Sequence, residues 1–302
     1  MLSVVYIRLA NSLQTVNSRP LTRQHKLSLI NPMINGIKLT TDYHIHSNFS
    51  MDGQDSIEAM CRRACALGYS EIAITEHAEW HPAYHGQFNV EAYFTELDRC
   101  RALFADQGLL VLSGIELGNP HEYVAQAKQL IQDYPFDIRI ASLHWLYGEN
   151  IHDPACFTGR EPTDAFADYF VELGQMAAEF SDANIVGHFD RILWRGTMMG
   201  ADFALGSLEN VIRDALATIA WRGLALELNT RLLGQNPGWH AELVTMLRWY
   251  REEGGLQIVV NSDSHRTGHL GTNIELAGQI LAKAGLVSTR LQINRSLAVP
   301  VN

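Results

Sequence analysis

The stretch Asp42-Tyr43-His44-Ile45-His46 decides the fold, because it ends a short apolar run with side chains that bind metal ions. Six further runs of this kind follow it along the chain. They are Ile72–His77, Leu110–Glu116, Ile138–His144, Ile185–His188, Leu224–Asn229 and Ile258–His265. Short β-branched runs separated by segments of helical length are typical of parallel strands joined by crossover helices. Seven such units predict an α/β fold with a closed or nearly closed β/α barrel.

The segments between these runs have helical periodicity and plausible helix ends. Ser56 to Leu67 is one example, since it is followed by Gly68, a residue type favoured just after a helix. Further helices are predicted over 89–104, 123–131, 164–180, 208–221, 241–253 and 272–284. In barrels of this kind, the carboxyl ends of the strands converge on one face. Six of the seven runs would deliver histidine, aspartate or glutamate to that face.

Bulk composition limits the classes of function. The 302 residues are 47% hydrophobic, which is enough for one large barrel domain. No apolar stretch approaches the roughly 18 residues that span a membrane. A net charge of −10 argues against a nucleic acid as the habitual partner. Four cysteines without a close Cys-x-x-Cys pair predict reduced thiols in a cytoplasmic protein.

Residues 1–36 differ from the rest of the chain. They include Arg8, Arg19, Arg23 and Lys26 but no acidic residue. Such a leader is compatible with a targeting peptide, or with an upstream-extended start, since Met33 lies just ahead of the first strand. We favour an extended or disordered tail over a signal peptide, because no apolar core precedes a small-residue cleavage site. The predicted domains are therefore a basic leader, 1–36, and a single barrel, 37–302.

The strand ends predict a metal site. Residues two apart in a strand face the same way, so His44 and His46 can bind one ion together, with Asp42 in support. Asp263 and His265 repeat this spacing on the last strand, which neighbours the first in a closed barrel. Glu116 ends an apolar strand, where an unpaired carboxylate would be costly to bury, so it needs a cation. Any one of these residues alone is more often a packed or surface residue, but together they indicate metal binding.

Several arginines follow strand ends closely. A position on the exterior is the default for arginine, but its planar guanidinium suits a phosphate group. Of Arg191, Arg195, Arg231 and Arg266, we predict that Arg191 and Arg231 contact the substrate. Glu227 has no obvious metal partner in the sequence, and we interpret it as structural.

Taken together, these motifs resemble the PHP family, named for polymerase and histidinol phosphatase. The resemblance extends from Leu39 to about Val299. The motifs that carry it are Asp42-Tyr43-His44-Ile45-His46-Ser47, Thr75-Glu76-His77, Gly114-Ile115-Glu116, Ser142-Leu143-His144, Gly187-His188, Glu227-Leu228-Asn229-Thr230 and Ser262-Asp263-Ser264-His265. It implies a distorted (β/α)7 barrel that holds three divalent ions, which Zn, Fe or Mn would supply.

The resemblance also implies which residues bind the ions. His44, His46, Glu116 and Asp263 would bind the first; Glu116, His144 and His188 the second; Asp52, His77 and His265 the third. Glu116 would be shared by two ions. Asp263 or His265 would donate a proton to the leaving group, so we predict Glu116, Asp263 and His265 as catalytic residues.

Within the family, the chain is most similar to the short histidinol-phosphatases. This implies a phosphoric monoester hydrolase that converts L-histidinol phosphate to L-histidinol and phosphate in histidine biosynthesis. One departure is Arg231-Leu232-Leu233, which stands where that branch usually has two small residues. Alternatives are a phosphoesterase for nucleotides or another small phosphoester, a non-catalytic metal-binding module, and a DNA nuclease. The acidic balance and the lack of a polymerase region disfavour the nuclease.

Overall fold

The computed structural model describes residues 39–198, 200, 204–235 and 237–293. The predicted leader, 1–36, lies outside the described residues. The strands are β1 Thr41–Ile45, β2 Glu71–Ala78, β3 Leu110–Gly118, β4 Ile138–Ser142, β5 Trp145–Leu146, β6 Glu149–Asn150, β7 Ile185–Val186, β8 Ala225–Asn229 and β9 Ile258–Asn261. The helices are α1 Ile57–Leu67, α2 Val90–Phe104, α3 Val124–Asp133, α4 Pro162–Glu179, α5 Arg191–Met198, α6 Glu209–Trp221, α7 Thr230–Gln235, α8 His240–Glu252 and α9 Ile274–Ala284.

Seven of the strands form one parallel sheet in the order β1-β2-β3-β4-β7-β8-β9. The first and last strands meet through a bridge between Ile45 and Ser264, where His46 N donates to Ser264 O at 2.8 Å. Before this bridge along β1 and β9, a side chain joins the two strands in place of a backbone–backbone hydrogen bond: Tyr43 N donates to Asn261 Oδ1 at 2.9 Å. The sheet is therefore a nearly closed, distorted barrel, which confirms the predicted fold.

All seven predicted helical segments contain a helix. Ser56 caps α1 by accepting a hydrogen bond from Ala59 N at 3.2 Å, and Gly68 ends the helix at φ 78°. The sequence analysis missed α5, α7 and the β5–β6 hairpin. These elements have only eight, six and two-plus-two residues, which is too short for apolar periodicity to stand out.

Two apolar layers hold the barrel together. The larger lies between the sheet and the surrounding helices, and the smaller fills the barrel interior with residues such as Tyr43, Leu112 and Ile140. Leu291 and Ile293, after the last helix, pack against the interior layer from below. Because apolar side chains fill the barrel interior, polar side chains that point into the barrel can gather only at its two ends. Within the described residues, no helix is both long and apolar enough to cross a membrane.

Candidate metal centre

The structure brings all nine predicted ligands together at the carboxyl end of the barrel. They are His44, His46, Asp52, His77, Glu116, His144, His188, Asp263 and His265. Seven of the nine are buried, His77 is partly exposed, and Asp52 has a side chain that is 54% exposed. The cluster therefore has a closed interior and one ligand at its solvent rim.

Glu116 lies at the middle of the cluster. Its Oε1 atom is 3.2 Å from His144 Nε2 and 2.9 Å from His188 Nε2. Its Oε2 atom is 3.3 Å from both His44 Nε2 and His46 Nε2. Oε2 is also 2.9 Å from His77 Nδ1, so Oε1 faces two imidazoles and Oε2 faces three, an arrangement that is able to bridge two ions.

Two further groups of donor atoms surround this carboxylate. Asp263 Oδ1 lies 3.3 Å from His46 Nε2 and 3.7 Å from His44 Nε2. On the rim, Asp52 Oδ2 is 2.9 Å from His265 Nε2, and Asp52 Oδ1 is 3.5 Å from His77 Nε2. The nine side chains therefore form one continuous cluster, in which His77 lies close both to His46 and His265 and to Glu116 and His144.

Buried carboxylates and a carbonyl fix the orientation of three imidazoles. His44 Nδ1 is 2.8 Å from Glu227 Oε2, and His144 Nδ1 contacts Glu79 Oε1. His265 Nδ1 is 2.9 Å from the carbonyl oxygen of Asp263. When Nδ1–H of His44 or His144 donates to its carboxylate, the lone pair is on Nε2, which points to the cluster. His265 Nδ1 is also 3.0 Å from Arg231 Nη1, which can only donate to it.

The residues present fit divalent cations. Glu116 Oε2 is buried and lies within 3.3 Å of three imidazole nitrogens, on His44, His46 and His77, yet makes no hydrogen bond to them. The Nε2 atoms of His44 and His46 are 3.1 Å apart. Acceptor atoms that approach so closely repel each other unless a cation or a proton lies between them. Imidazole and carboxylate ligands suit Zn, Fe and Mn, so the cluster is able to bind metal ions.

The electrostatics of the cluster differ between its imidazoles. Despite burial, nearby carboxylates raise the pKa of His44, His77 and His144, whereas the pKa values of His46 and His188 are lowered, which favours the deprotonated form that metal binding needs. Burial would raise the pKa of Glu116, but His44, His144 and His77 hold it well below its usual range. Burial, aided by His77 and His265, lowers the pKa of His46 to about 4. Burial and the Arg191 guanidinium likewise lower that of His188 to about 4.

Two ligands have strained backbones. His188 has φ 21° and Asp263 has φ 48°, in the left-handed region that non-glycine residues rarely adopt. Such strain persists only where the surrounding structure enforces it, and it is concentrated at functional sites.

The two predicted substrate arginines both reach the cluster. The buried Arg191 places Nη1 3.0 Å from His188 Nε2 and Nη2 3.6 Å from Asp263 Oδ2. Arg231, with a side chain 31% exposed, places Nη1 4.0 Å from Asp263 Oδ2. By contrast, Arg195 donates to the carbonyl oxygen of His152, and Arg266 to His269. Both selected arginines therefore lie on the β7–β8 side of the centre.

The sequence analysis missed the roles of three supporting carboxylates. Glu227, interpreted only as structural, orients His44 and accepts from His188 N at 3.1 Å. Glu79 contacts His144 and accepts from Trp145 Nε1 at 2.9 Å. Glu76 accepts from Ser47 Oγ at 2.5 Å. The sequence contained one signal for Glu79, which is its spacing. Glu79 comes two residues after His77, the same spacing as in the other pairs of this cluster.

Comparison with known proteins gives a consistent family assignment. The family model described as "PHP domain" matches residues 42–231. A histidinol-phosphatase of Lactococcus lactis is 28% identical over 246 residues, which cover 81% of this chain and 91% of that protein. A probable histidinol-phosphatase of Clostridium acetobutylicum is 26% identical, covering 78% of this chain and 90% of that protein.

A solved structure extends the comparison to the fold. The crystal structure of histidinol phosphate phosphatase from Lactococcus lactis, in complex with Zn, L-histidinol and phosphate, matches with a TM-score of 0.75 and 26% identity. The match covers 83% of this chain and 95% of that one. Most of the barrel described above is therefore shared with that structure.

Proposed function

The chain belongs to the PHP domain family, and on that premise we propose that it is a metal-dependent phosphomonoester hydrolase whose substrate is L-histidinol phosphate. The products would be L-histidinol and phosphate. The observation that carries the proposal is Glu116, a buried carboxylate whose Oε1 faces two imidazoles and whose Oε2 faces three, while two arginines lie beside the same cluster. The similar enzymes from two bacteria support the choice of substrate.

We assign three divalent ions to the three groups of ligands. His44, His46, Glu116 and Asp263 would hold the first, Glu116, His144 and His188 the second, and Asp52, His77 and His265 the third. Zn is the leading candidate because the similar crystal structure contains it, and Fe and Mn share its ligand preferences. Bound ions would supply Lewis acidity, which activates water for attack and neutralises charge on the phosphate.

The protein's own side chains would bind and orient the substrate. Arg191 and Arg231 would donate to phosphate oxygens and so bind the phosphate group of the substrate. Asp263 and His265, adjacent to Arg231, are the candidate proton donors to the departing alkoxide. Glu116 would hold its ions in fixed positions, which orients the attacking and leaving oxygens relative to each other.

The supporting carboxylates would keep this geometry fixed. Glu227 and Glu79 hold His44 and His144 with their Nε2 atoms directed inwards. Supporting carboxylates of this kind typically contribute about 10- to 100-fold to metal affinity or activity.

The expected binding partner of the enzyme is a small phosphorylated molecule, and we place the enzyme in the cytoplasm.

Metal depletion followed by a substrate screen tests the proposal. The protein is stripped by a chelator, reloaded separately with Zn, Mn or Fe, and assayed for phosphate release. Substrates are L-histidinol phosphate, nucleoside monophosphates, nucleotide bisphosphates and single-stranded DNA. We expect more than one bound ion per chain and the highest kcat/KM with L-histidinol phosphate. A fully active metal-free protein would refute metal dependence, and preference for a nucleotide would refute the substrate.

A further inference from the structure

A cleft of about 610 Å³ opens beside the metal centre on the β2 side of the barrel. Its inner end is formed by His77 and Glu79, at the end of β2. From there it extends past the aromatic rings of Trp80, Tyr84 and Phe88 and along α3. This volume lies within the range of small-molecule sites, and the cleft begins at a proposed metal ligand.

The charge of the cleft differs from that of the opposite side of the metal centre, where Arg191 and Arg231 would bind the phosphate. None of the described residues that line it is a lysine or arginine, whereas Glu79 and Asp133 contribute carboxylates. The two arginines of the centre follow β7 and β8, which lie across the barrel from β2 in the strand order. A bound phosphomonoester would therefore have its anionic group on the arginine side and its organic group on the acidic, aromatic side.

Tyr84 is one of the residues that line this cleft. It is half-buried in the loop between β2 and α2, where its backbone N donates to His81 O at 2.9 Å. Its hydroxyl has no hydrogen-bond partner in the described part of the chain. A Cβ atom on Gly86 would lie only 2.2 Å from that hydroxyl, so the loop backbone is fitted around the ring.

Surrounding charge keeps the Tyr84 hydroxyl protonated. Burial, together with the carboxylates of Glu79, Asp52 and Glu116, holds its pKa above the ordinary value. The group is therefore a hydrogen-bond donor at neutral pH. The aromatic rings that line the cleft can bind both cations and flat rings through their faces.

We propose that this cleft binds the leaving group of the substrate, that it selects leaving groups carrying a positive charge and an aromatic ring, and that Tyr84 determines this specificity. The assignment rests on the proposed phosphomonoesterase function, and it identifies which side of the centre recognises the organic half. L-histidinol, with its protonated amine and its imidazole, is one molecule of this class.

Calorimetric titration of the metal-loaded protein tests the assignment without requiring turnover. L-histidinol and inorganic phosphate are titrated separately into the wild type and Tyr84→Phe, with Tyr134→Phe as matched control. The Tyr134 hydroxyl donates to Glu91 at 2.6 Å, and neither residue lines the cleft. We expect the Kd of L-histidinol to rise about 3- to 10-fold in Tyr84→Phe, as for one lost hydrogen bond. The Kd of phosphate should not change, and Tyr134→Phe should change neither value.

A second variant displaces the Tyr84 hydroxyl without removing it. Gly86→Ala retains the tyrosine but pushes its hydroxyl aside, so it should weaken L-histidinol binding and leave phosphate binding unchanged.

Two results would overturn the assignment: an unchanged Kd of L-histidinol in Tyr84→Phe, or an equal weakening of phosphate and L-histidinol. A protein that binds L-histidinol through Tyr84 but does not hydrolyse L-histidinol phosphate would give a different result. It would reject the proposed function and still support the binding role of the cleft.

Discussion

Each end of the barrel has a buried carboxylate, and the two are neutralised in different ways. At the amino end, Glu71 accepts from Tyr43 Oη at 2.7 Å and from Arg290 Nε at 3.0 Å. At the carboxyl end, Glu116 is surrounded by five imidazoles, and its Oε2 atom makes no hydrogen bond. Both carboxylates belong to β-strands and are almost completely buried.

The difference shows how one fold separates stability from chemistry. At the amino end the chain provides its own cation, Arg290, so the charge of Glu71 is satisfied within the protein. At the carboxyl end the chain provides neutral nitrogen ligands such as His46 and His188, which are suited to a cation that comes from solution. Changes at Glu116 should therefore affect catalysis and metal content, and changes at Glu71 should affect folding.

The largest expected effect is that of Glu116→Gln. The substitution keeps the shape of the side chain but removes the charge shared by two proposed ions. We expect kcat for L-histidinol phosphate to fall by at least about 10³-fold. Metal analysis should also show fewer ions per chain, while circular dichroism remains that of the wild type. A near-normal kcat would contradict the bridging role of Glu116 and the proposed difference between the two ends of the barrel.

Glu227→Gln should have the next largest effect. Its carboxylate contacts His44 Nδ1 at 2.8 Å, so the change weakens the orientation of a proposed ligand without removing the ligand. We expect metal affinity to fall about 10- to 100-fold, as measured by chelator competition. Glu253→Gln, in a surface ion pair with Arg213, is the matched control and should leave affinity unchanged. Equal affinities in both variants would show that support from Glu227 is not needed.

The sequence could predict which residues meet at the carboxyl end because parallel strands fix their relative positions. His44 and His46 on the first strand, and Asp263 and His265 after the last, converge because the barrel brings those strands together. Strand alternation predicts that His44 and His46 lie on one side, whereas Asp263 and His265 follow the end of β9 at Asn261, where Asp263 has a left-handed backbone. No distance in the cluster was required for that prediction.

The supporting groups could not be predicted in the same way, because their roles depend on side-chain packing. Glu227 is in the middle of β8, and only the closeness of β8 to His44 across the barrel makes it a partner. The Glu71–Arg290 pair joins residues 219 positions apart, in a segment after the last helix that has no regular structure. Periodicity gives no information about where such a segment packs.

Arg231→Ala should have a smaller effect, confined to substrate binding. The side chain is partly exposed, and its Nη1 atom lies 3.0 Å from His265 Nδ1 and 4.0 Å from Asp263 Oδ2. Both ligands keep their contacts with Asp52 and His46 when it is lost. We expect KM to rise about 10-fold, as for one lost charge-assisted hydrogen bond, with kcat within about twofold of wild type. Arg62→Ala, in an exposed helical ion pair, serves as control. A large fall in kcat at unchanged KM would instead place Arg231 in transition-state stabilisation.

Glu71→Gln should have the smallest effect on activity. The amide can still accept from Tyr43 Oη, and Arg290, with a side chain 48% exposed, can be solvated when its partner is neutral. We expect unfolding by denaturant to show a loss of about 1 kcal/mol, in the range of one hydrogen bond to a charged group adjusted for that exposure. Both kcat and KM should equal those of the wild type, because the apolar interior layer separates Glu71 from the metal centre. A tenfold fall in kcat would show that the two ends of the barrel are coupled, and the division between a stabilising end and a catalytic end would then be wrong.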